Sequence, residues 1–464
     1  MLTYDMNDRG GLARYDYLYR RIKEDILAGR LRAAEKLPSK RALAQHLEVA
    51  VVTVENAYAQ LVAEGYVCAR EKRGYFVNRL EARPALRVDW EPPEEAGEEP
   101  GREWLLDLEQ GSSGTEGFPF SVWAKLMRRV LTERGEDLLR ATPHSGAPEL
   151  RRAISSQLYH FRGIQAAPEQ IVVGAGTEYL YNLLVQLLGR DRIYGMEDPG
   201  YSKAVQIYGL NGASCLSLPV DSQGVAAETL DAQGVEILHI SPNHQFPTGI
   251  LTPIARRQSL LHWAEAGEDR YIIEDDYDSE FRFTGRPIPT LQSIDRSGRV
   301  IYMNTFSRTL APSLRISYMV LPRALLGEYR RNLGFYSCTV PALEQYTLAD
   351  FLEGGYFESH LSRMRLHYRG QRDRVMEVIR KSPVAGRCRV LRENAGLHFL
   401  LELDTDKSDR ALKEQAVGRD IRLSFLSDYQ RQAGAAPAHT LVVNYPRIDL
   451  DRLARGLEIL SGLL

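Results

Sequence analysis

Hydrophobic positions along the first 80 residues recur at two different spacings. Apolar side chains three or four residues apart predict three amphipathic helices, over residues 17–29, 39–47 and 52–65. Ser39 is the expected N-cap of the second helix, and glycines end the first and the third. Two short β-type runs follow, over residues 66–70 and 74–77. Three helices and a hairpin in this order predict a winged helix-turn-helix.

From residue 110 onward, short apolar runs alternate with helical stretches. The expected strands are Ile171–Val173, Ile193–Tyr194, Ile237–Ile240, Tyr271–Ile273 and Val300–Met303. Strands that alternate with crossover helices predict an α/β fold. In such folds the residues that bind ligands collect at the carboxyl ends of the strands.

Charge divides the chain more sharply than composition does. The net charge is −2, with 44% hydrophobic and 26% charged residues, as in ordinary globular proteins. Up to residue 80 the chain is mildly basic, and an acidic tract rich in Pro and Glu follows. We therefore expect a nucleic-acid-binding module over residues 1–80, a linker over 81–106 and a large domain over 107–464.

Targeting and metal signals are weak in this sequence. No apolar run approaches the roughly 18–20 residues that a membrane span requires, and we expect no secretory signal in the first residues. The four cysteines are far apart and lack the spacing of metal ligands. We expect a cytoplasmic protein with reduced thiols, no membrane partner and no metal.

The first 80 residues resemble the DNA-binding head of GntR-type regulators. The resemblance lies in Leu37-Pro38-Ser39-Lys40-Arg41, in a Thr-Val-x-x-Ala-Tyr-x-x-Leu-x-x-Glu-Gly-Tyr pattern from Thr53, and in Arg73-Gly74-Tyr75-Phe76-Val77. It implies DNA contacts at Ser39, Lys40, Arg41, Thr53, Lys72 and Arg73. Ala50-Val51 stand where that family usually has Ser-Arg, which leaves the base contacts open. A winged helix used for protein contacts is the alternative.

The large domain resembles fold-type I aminotransferases, which use pyridoxal phosphate. The acidic run Glu274-Asp275-Asp276-Tyr277 and the segment Asn304-Thr305-Phe306-Ser307-Arg308 look specifically like the MocR/GabR regulators. Those proteins join a GntR-type head to an aminotransferase-like body. The resemblance implies a homodimer whose body has a large, mixed but mainly parallel sheet and a small C-terminal α+β subdomain from about residue 340.

Specific positions match the cofactor pocket of that family. Asp275 matches the partner of the pyridine nitrogen, Tyr277 the partner of the ring hydroxyl, and Tyr201 the stacked aromatic side chain. The full expected cofactor set is Gly176, Thr177, Tyr201, Asp275, Tyr277, Thr305, Ser307, Arg308 and Arg315. Lys203 and Arg422 are the expected effector ligands, with Arg447 as an alternative to Arg422.

Arg308 departs from the family pattern, which has a lysine at this position. A lysine amine can lose its proton and condense with an aldehyde, whereas a guanidinium stays charged. The position therefore predicts a pocket without a covalent internal aldimine and a protein that is not an enzyme. Three interpretations remain open: non-covalent binding of pyridoxal phosphate or its amine form, binding of a different small anion, and a variant of a lysine protein.

The combined hypothesis is a DNA-binding transcriptional regulator that acts on its own or a neighbouring promoter. Its aminotransferase-like body would sense pyridoxal phosphate, a pyridoxal adduct or an amino acid-like anion. Two alternatives remain. One is a working aminotransferase with an appended DNA-binding domain, and the other is a degenerate protein used only for structure or interaction.

Overall fold

Two units make up the chain, Met1–Pro100 and Gly101–Leu464. The computed structural model describes residues 2–80, 103–109, 117–283, 288–393, 396–432, 434 and 436–464. Most of the acidic tract expected at 81–106 therefore lies outside the described residues. Within the described ranges, no helix is both long enough and apolar enough to span a bilayer.

The first unit contains three helices and a two-stranded hairpin. The elements are α1 (Arg14–Leu27), α2 (Lys40–His46), α3 (Val51–Ala63), β1 (Val67–Arg70) and β2 (Gly74–Val77). The strands pair antiparallel, with Val67 opposite Val77. Apolar residues that the periodicity placed on one face of each helix, such as Leu18, Leu43 and Leu61, are fully buried in one core. The prediction of a winged helix-turn-helix is confirmed.

Helix ends in this unit follow the local chemistry of the sequence. The Ser39 side chain accepts a hydrogen bond from the backbone amide of Ala42 (3.2 Å), so Ser39 is the predicted N-cap of α2. Ala50 occupies the same place before α3 and offers no side-chain acceptor. Glu55, an acid on α3, binds the ammonium group of Lys40 at 2.5 Å.

The second unit is built from alternating strands and helices. The strands are β3 (Leu106–Asp107), β4 (Ile171–Gly174), β5 (Ile193–Asp198), β6 (Ser214–Asp221), β7 (Gly224–Val225), β8 (Ile237–Ile240), β9 (Tyr271–Asp275), β10 (Val300–Thr305), β11 (Ser317–Val320), β12 (Cys388–Leu391), β13 (His398–Leu403), β14 (Ile421–Arg422) and β15 (Thr440–Asn444). The helices are α4 (Phe120–Glu133), α5 (Pro148–Arg162), α6 (Thr177–Leu188), α7 (Ser202–Leu210), α8 (Ala227–Ala232), α9 (Ile254–Glu265), α10 (Leu291–Ile294), α11 (Phe306–Thr309), α12 (Leu326–Leu333), α13 (Ala342–Glu353), α14 (Tyr356–Lys381), α15 (Asp409–Val417) and α16 (Leu450–Leu463). All five strands expected from the apolar runs are present.

Eight strands form one large sheet in the order β4-β11-β10-β9-β8-β5-β6-β7. The pairs from β10 through β6 are parallel, whereas β11 is antiparallel to both of its neighbours. The strands β4, β10, β9, β8 and β5 therefore all end at the same edge of the sheet. This mixed, mainly parallel sheet agrees with the expected fold class, and its carboxyl edge is where ligand-binding residues should collect.

The C-terminal part has its own sheet, in the order β12-β13-β15, with antiparallel pairing. Its core includes residues of α14, α15 and α16 and is separate from the clusters that cover the large sheet. Buried residues of α13 pack with α4 and α5 in one of those clusters. The change of core therefore falls within α14, later than the expected boundary near residue 340.

Candidate functional site

A cavity of about 330 Å³ lies at the carboxyl edge of the large sheet. This volume is within the range of small-molecule sites. Eight of the nine residues expected to bind a cofactor line this cavity: Thr177, Tyr201, Asp275, Tyr277, Thr305, Ser307, Arg308 and Arg315. Lys203, an expected effector ligand, lines it as well. The ninth, Gly176, lies against Arg315. The strand topology thus brings residues that are more than 130 positions apart in sequence into one pocket.

Asp275, the last residue of β9, offers a buried acceptor at one wall of the cavity. Its Oδ2 atom accepts a hydrogen bond from the hydroxyl of Tyr181 at 2.5 Å and lies 3.6 Å from Nε2 of His239. Its Oδ1 atom is buried and has no hydrogen-bond partner among the residues that the structure describes. A buried carboxylate oxygen without a partner is costly, so this atom fits a ligand that brings a donor such as a protonated ring nitrogen.

The N-terminus of α6 and Arg315 form an anion cradle on another wall. Gly176 precedes the helix with φ +91°, and a Cβ atom there would lie 2.4 Å from Nη2 of Arg315. Only glycine therefore permits the guanidinium to approach the helix N-terminus this closely. Arg315 itself has a left-handed backbone (φ +48°), a strained conformation of a kind found at binding sites. Backbone amides, the helix dipole and a guanidinium together suit a phosphate group.

Tyr277 stands at the head of a buried polar cluster. Its hydroxyl lies 3.1 Å from Nδ1 of His244, and that nitrogen lies 3.0 Å from both carboxylate oxygens of Asp278. Burial raises the pKa of Tyr277 well above its usual range, Asp278 adds to this effect, and the positive charge of Arg308 opposes it. Tyr277 is therefore a neutral hydroxyl that can donate to a ligand oxygen.

His244, Asp278 and His398 bring their potential ligand atoms within 4.8 Å of one another. Such a set has donors that a transition metal prefers. In the structure, Asp278 lies against His244, and Nε2 of His398 lies 3.0 Å from the carbonyl oxygen of Pro247. Burial lowers the pKa of His398 to about 3, so this imidazole is neutral. The cluster was not found from the sequence, because its members are up to 154 positions apart.

Arg308 lies in the short helix α11 and lines the same cavity as Asp275 and Arg315. The side chain of Thr305 accepts a hydrogen bond from the amide of Ser307 at 3.1 Å and so caps this helix. The hydroxyl of Thr305 also accepts one from Ser317 at 2.8 Å, so its bonding capacity is largely used within the protein. Burial raises the pKa of both Tyr277 and Tyr201, and the positive charge of Arg308 lowers it.

In the N-terminal unit, the residues expected to contact DNA differ in their availability. Arg41, Lys72 and Arg73 are exposed. Lys72 lies in the hairpin turn with φ +56°. Lys40 is engaged by Glu55, and Thr53 on α3 is half-buried. The exposed cations are suited to phosphate contacts, whereas Lys40 would first have to leave its carboxylate partner.

Known proteins resemble both the N-terminal unit and the chain as a whole. Residues 14–77 match the model of the bacterial regulatory proteins of the gntR family. The uncharacterized HTH-type transcriptional regulator YdeL of Bacillus subtilis is 37% identical over 97% of this chain and 96% of its own length. The Rhizobium meliloti protein named "Probable rhizopine catabolism regulatory protein MocR" is 34% identical over 96% of this chain and 92% of its own. The chain belongs to the MocR-type family of HTH transcriptional regulators.

Other relatives agree with this assignment. The HTH-type pyridoxine biosynthesis transcriptional regulator PdxR of Corynebacterium glutamicum is 30% identical over 90% of this chain and 89% of its own length. A solved archaeal alanine:glyoxylate aminotransferase matches 78% of this chain and 91% of its own, with a TM-score of 0.69 and 24% identity. That likeness shows that the body of this MocR-type regulator has the aminotransferase fold. The protein is a DNA-binding regulator with an aminotransferase-like sensing domain.

Arg422 does not join the pocket of this MocR-type regulator. It is absent from the residues that line the cavity, and its guanidinium Nε lies 2.5 Å from Glu109 and its Nη1 3.6 Å from Asp107. The cause is the parallel pairing of β14 with β3, two strands that are more than 300 positions apart. The expectation that Arg422 contacts an effector in this cavity is not supported by its position.

Five residues line the cavity that were not expected there: Glu178, Tyr181, Ser241, Phe246 and Pro312. Tyr181 could have been found, because it follows Thr177 by four positions and so lies on the same face of α6. Glu178 stands in a motif already singled out for phosphate binding, yet an acid is an unexpected group at an anion site.

Proposed function

We propose that this MocR-type regulator is a homodimer whose body binds pyridoxal phosphate, or a close derivative, without a covalent bond and without transaminase turnover. The proposed arrangement is a DNA-binding head over residues 1–80, a linker over 81–106 and a ligand-binding body over 107–464. The name of the relative PdxR, a pyridoxine biosynthesis transcriptional regulator, supports a pyridoxal-type ligand.

The observation that carries this proposal is Arg308 in a cavity that is otherwise equipped for such a ligand. Asp275 has a buried oxygen available for a pyridine nitrogen, and the cradle of Gly176 and Arg315 suits a phosphate. Covalent attachment requires a neutral amine, and a guanidinium remains protonated at any relevant pH. Bound pyridoxal phosphate would supply an aldehyde. Arg308 would donate hydrogen bonds to the aldehyde oxygen, whereas a lysine amine would attack the aldehyde carbon.

The remaining walls define where a second ligand group would bind. Lys203 lines the cavity with its side chain 53% exposed, and its ammonium group pairs with Glu178 at 2.7 Å, so an anionic effector would share Lys203 with that carboxylate. Tyr201, 43% exposed, offers an aromatic face over which a pyridine ring can stack. These two side chains are the proposed effector contact and stacking surface.

Binding to DNA supplies the output of this sensor. Arg41, Lys72 and Arg73 are the exposed cations proposed to contact phosphates. Ser39 and Thr53, near the starts of α2 and α3, are proposed to lie beside the duplex. Each phosphate contact releases counterions, so affinity should fall steeply as salt rises. Each contact should lower the logarithm of the binding constant by roughly 0.9 for every tenfold increase in salt concentration.

The test is fluorescence anisotropy on the full chain with DNA from upstream of its own gene. We expect salt-dependent binding, a change in apparent Kd when pyridoxal phosphate is added, and a shallower salt slope in Arg41→Ala. The control Arg410→Ala removes an exposed cation of the body (90% exposed) and should leave the slope unchanged. A Kd that does not depend on salt, or a salt slope that is unchanged in Arg41→Ala, would favour a winged helix used for protein contacts.

A further inference from the structure

The carboxylate of Glu178 occupies the anion cradle, between two cations. Its Oε1 atom accepts a hydrogen bond from Nζ of Lys203 at 2.7 Å, and its Oε2 atom accepts one from Nη2 of Arg315 at 2.9 Å. The bond from Lys203 is the main cause that lowers the pKa of Glu178. The group is therefore ionised at neutral pH, and one acid is shared by two of the basic residues that line the cavity.

The position of Glu178 along α6 places this charge at the helix N-terminus. Thr177 and Glu178 are the first two residues of the helix, where backbone amides and the helix dipole favour an anion. Arg315 reaches the same point because Gly176 has no Cβ. The groups that would hold a ligand phosphate thus already have a negative partner that belongs to the chain itself.

A phosphate group cannot join this arrangement without changing it. A phosphate dianion beside an ionised carboxylate is repelled, and both compete for the guanidinium of Arg315. Glu178 also has Lys203 as a partner, so it can leave Arg315 and remain paired. Its side chain is 38% exposed and not part of a hydrophobic core, so nothing in the packing requires it to stay at Arg315.

On the basis of the ligand proposed above, we infer that Glu178 is a specificity-determining residue. It acts as a resident counter-anion that a ligand phosphate must displace from Arg315, so it weakens the binding of phosphorylated ligands selectively. A ligand of the same shape without the phosphate does not need Arg315 and is not affected. The regulator would then respond only to concentrations of phosphorylated ligand high enough to overcome this internal competitor.

The experiment compares Glu178→Gln, which keeps shape and removes charge, with the wild-type full chain. Affinities for pyridoxal phosphate, pyridoxal and inorganic phosphate are measured by isothermal titration in a buffer free of phosphate. A half-exposed ion pair contributes up to about 1 kcal/mol, so the preference for pyridoxal phosphate over pyridoxal should rise about fivefold. The affinity for inorganic phosphate should rise as well, and that for pyridoxal should stay within about twofold.

A matched control is Glu402→Gln, because Glu402 pairs with Arg389 at 2.7 Å and its side chain is 39% exposed. That variant should leave all three affinities unchanged. An unchanged preference in Glu178→Gln, or a weaker affinity for phosphate, would overturn the inference, since Glu178 would then only position Arg315. If neither chain binds a pyridoxal compound while Glu178→Gln binds inorganic phosphate more tightly, the proposed ligand is wrong but the role of Glu178 stands. If neither chain binds a pyridoxal compound and the affinity for inorganic phosphate is also unchanged in Glu178→Gln, the proposed ligand and the role of Glu178 are both rejected.

Discussion

Two adjacent carboxylates, Asp275 and Asp276, allow ligand binding to be separated from stability. Consecutive residues at the end of a strand point to opposite faces, so Asp275 lines the cavity and Asp276 faces away from it. Asp276 accepts hydrogen bonds from Tyr302 at 2.7 Å and Asn243 at 2.9 Å and pairs with Arg162 at 2.9 Å. The two side chains are similarly hidden, with 10% of Asp275 and 1% of Asp276 exposed.

In Asp275→Asn, we expect ligand affinity to fall while stability is kept. A hydrogen bond to a charged group contributes about 1.5–3 kcal/mol, so the Kd for pyridoxal phosphate should rise by roughly 10- to 150-fold. The ligand-free protein should lose little stability, because the variant removes a buried charge whose Oδ1 atom lacks a partner among the described residues. The hydroxyl of Tyr181 can still donate to the amide oxygen of the new side chain.

In Asp276→Asn, we expect the opposite pattern. Arg162 is only 7% exposed, and removal of one partner of a buried ion pair costs about 3–5 kcal/mol. Titration calorimetry on the folded variant should give a Kd close to that of the wild type, while urea unfolding should show the loss. Equal loss of stability in both variants, or a Kd within twofold of the wild type in Asp275→Asn, would refute the assigned roles.

Two further predictions concern stability. Burial raises the pKa of Glu197 to about 8, so the folded protein keeps a proton that the unfolded chain releases above its ordinary pKa of 4.5. Stability should therefore fall between pH 4.5 and pH 8 by up to about 1.4 kcal/mol per pH unit. In Glu197→Gln this dependence should be weaker in urea unfolding, and an equal slope in both proteins would contradict the effect. Ser39→Ala should destabilise the N-terminal unit by about 1 kcal/mol through loss of its cap, with Ser359→Ala on α14 as the control, and an unchanged melting temperature of that unit would argue against the cap.

Local features of this fold were predictable from the sequence. Periodicity located the three helices of the head, and the apolar runs located the five central strands. The N-cap at Ser39 followed from side-chain chemistry alone. The start of α1 was placed three residues late, at Tyr17, because Ala13 gives no capping signal before Arg14.

Long-range partners could not be predicted in the same way. Arg315 was expected to hold a phosphate, yet its carboxylate partner Glu178 is 137 positions away. Arg422 was expected in the pocket, but a strand pairing over more than 300 positions directs it to Asp107 and Glu109. A sequence shows which side chains carry charge, whereas the register of the sheet decides which charges meet. Family resemblance supplied the pocket residues that periodicity could not.

We infer the absence of a covalent aldimine from the guanidinium of Arg308, which cannot condense with an aldehyde as a lysine amine does. The most direct test of this inference is borohydride reduction of the native chain and of Arg308→Lys after incubation with pyridoxal phosphate, followed by intact mass measurement and peptide mapping. In the variant we expect a single adduct, at position 308. In the native chain we expect no adduct that is confined to one position. A single specific adduct in the native chain, together with transfer of amino groups between an amino acid and a keto acid, would show that this protein is an enzyme.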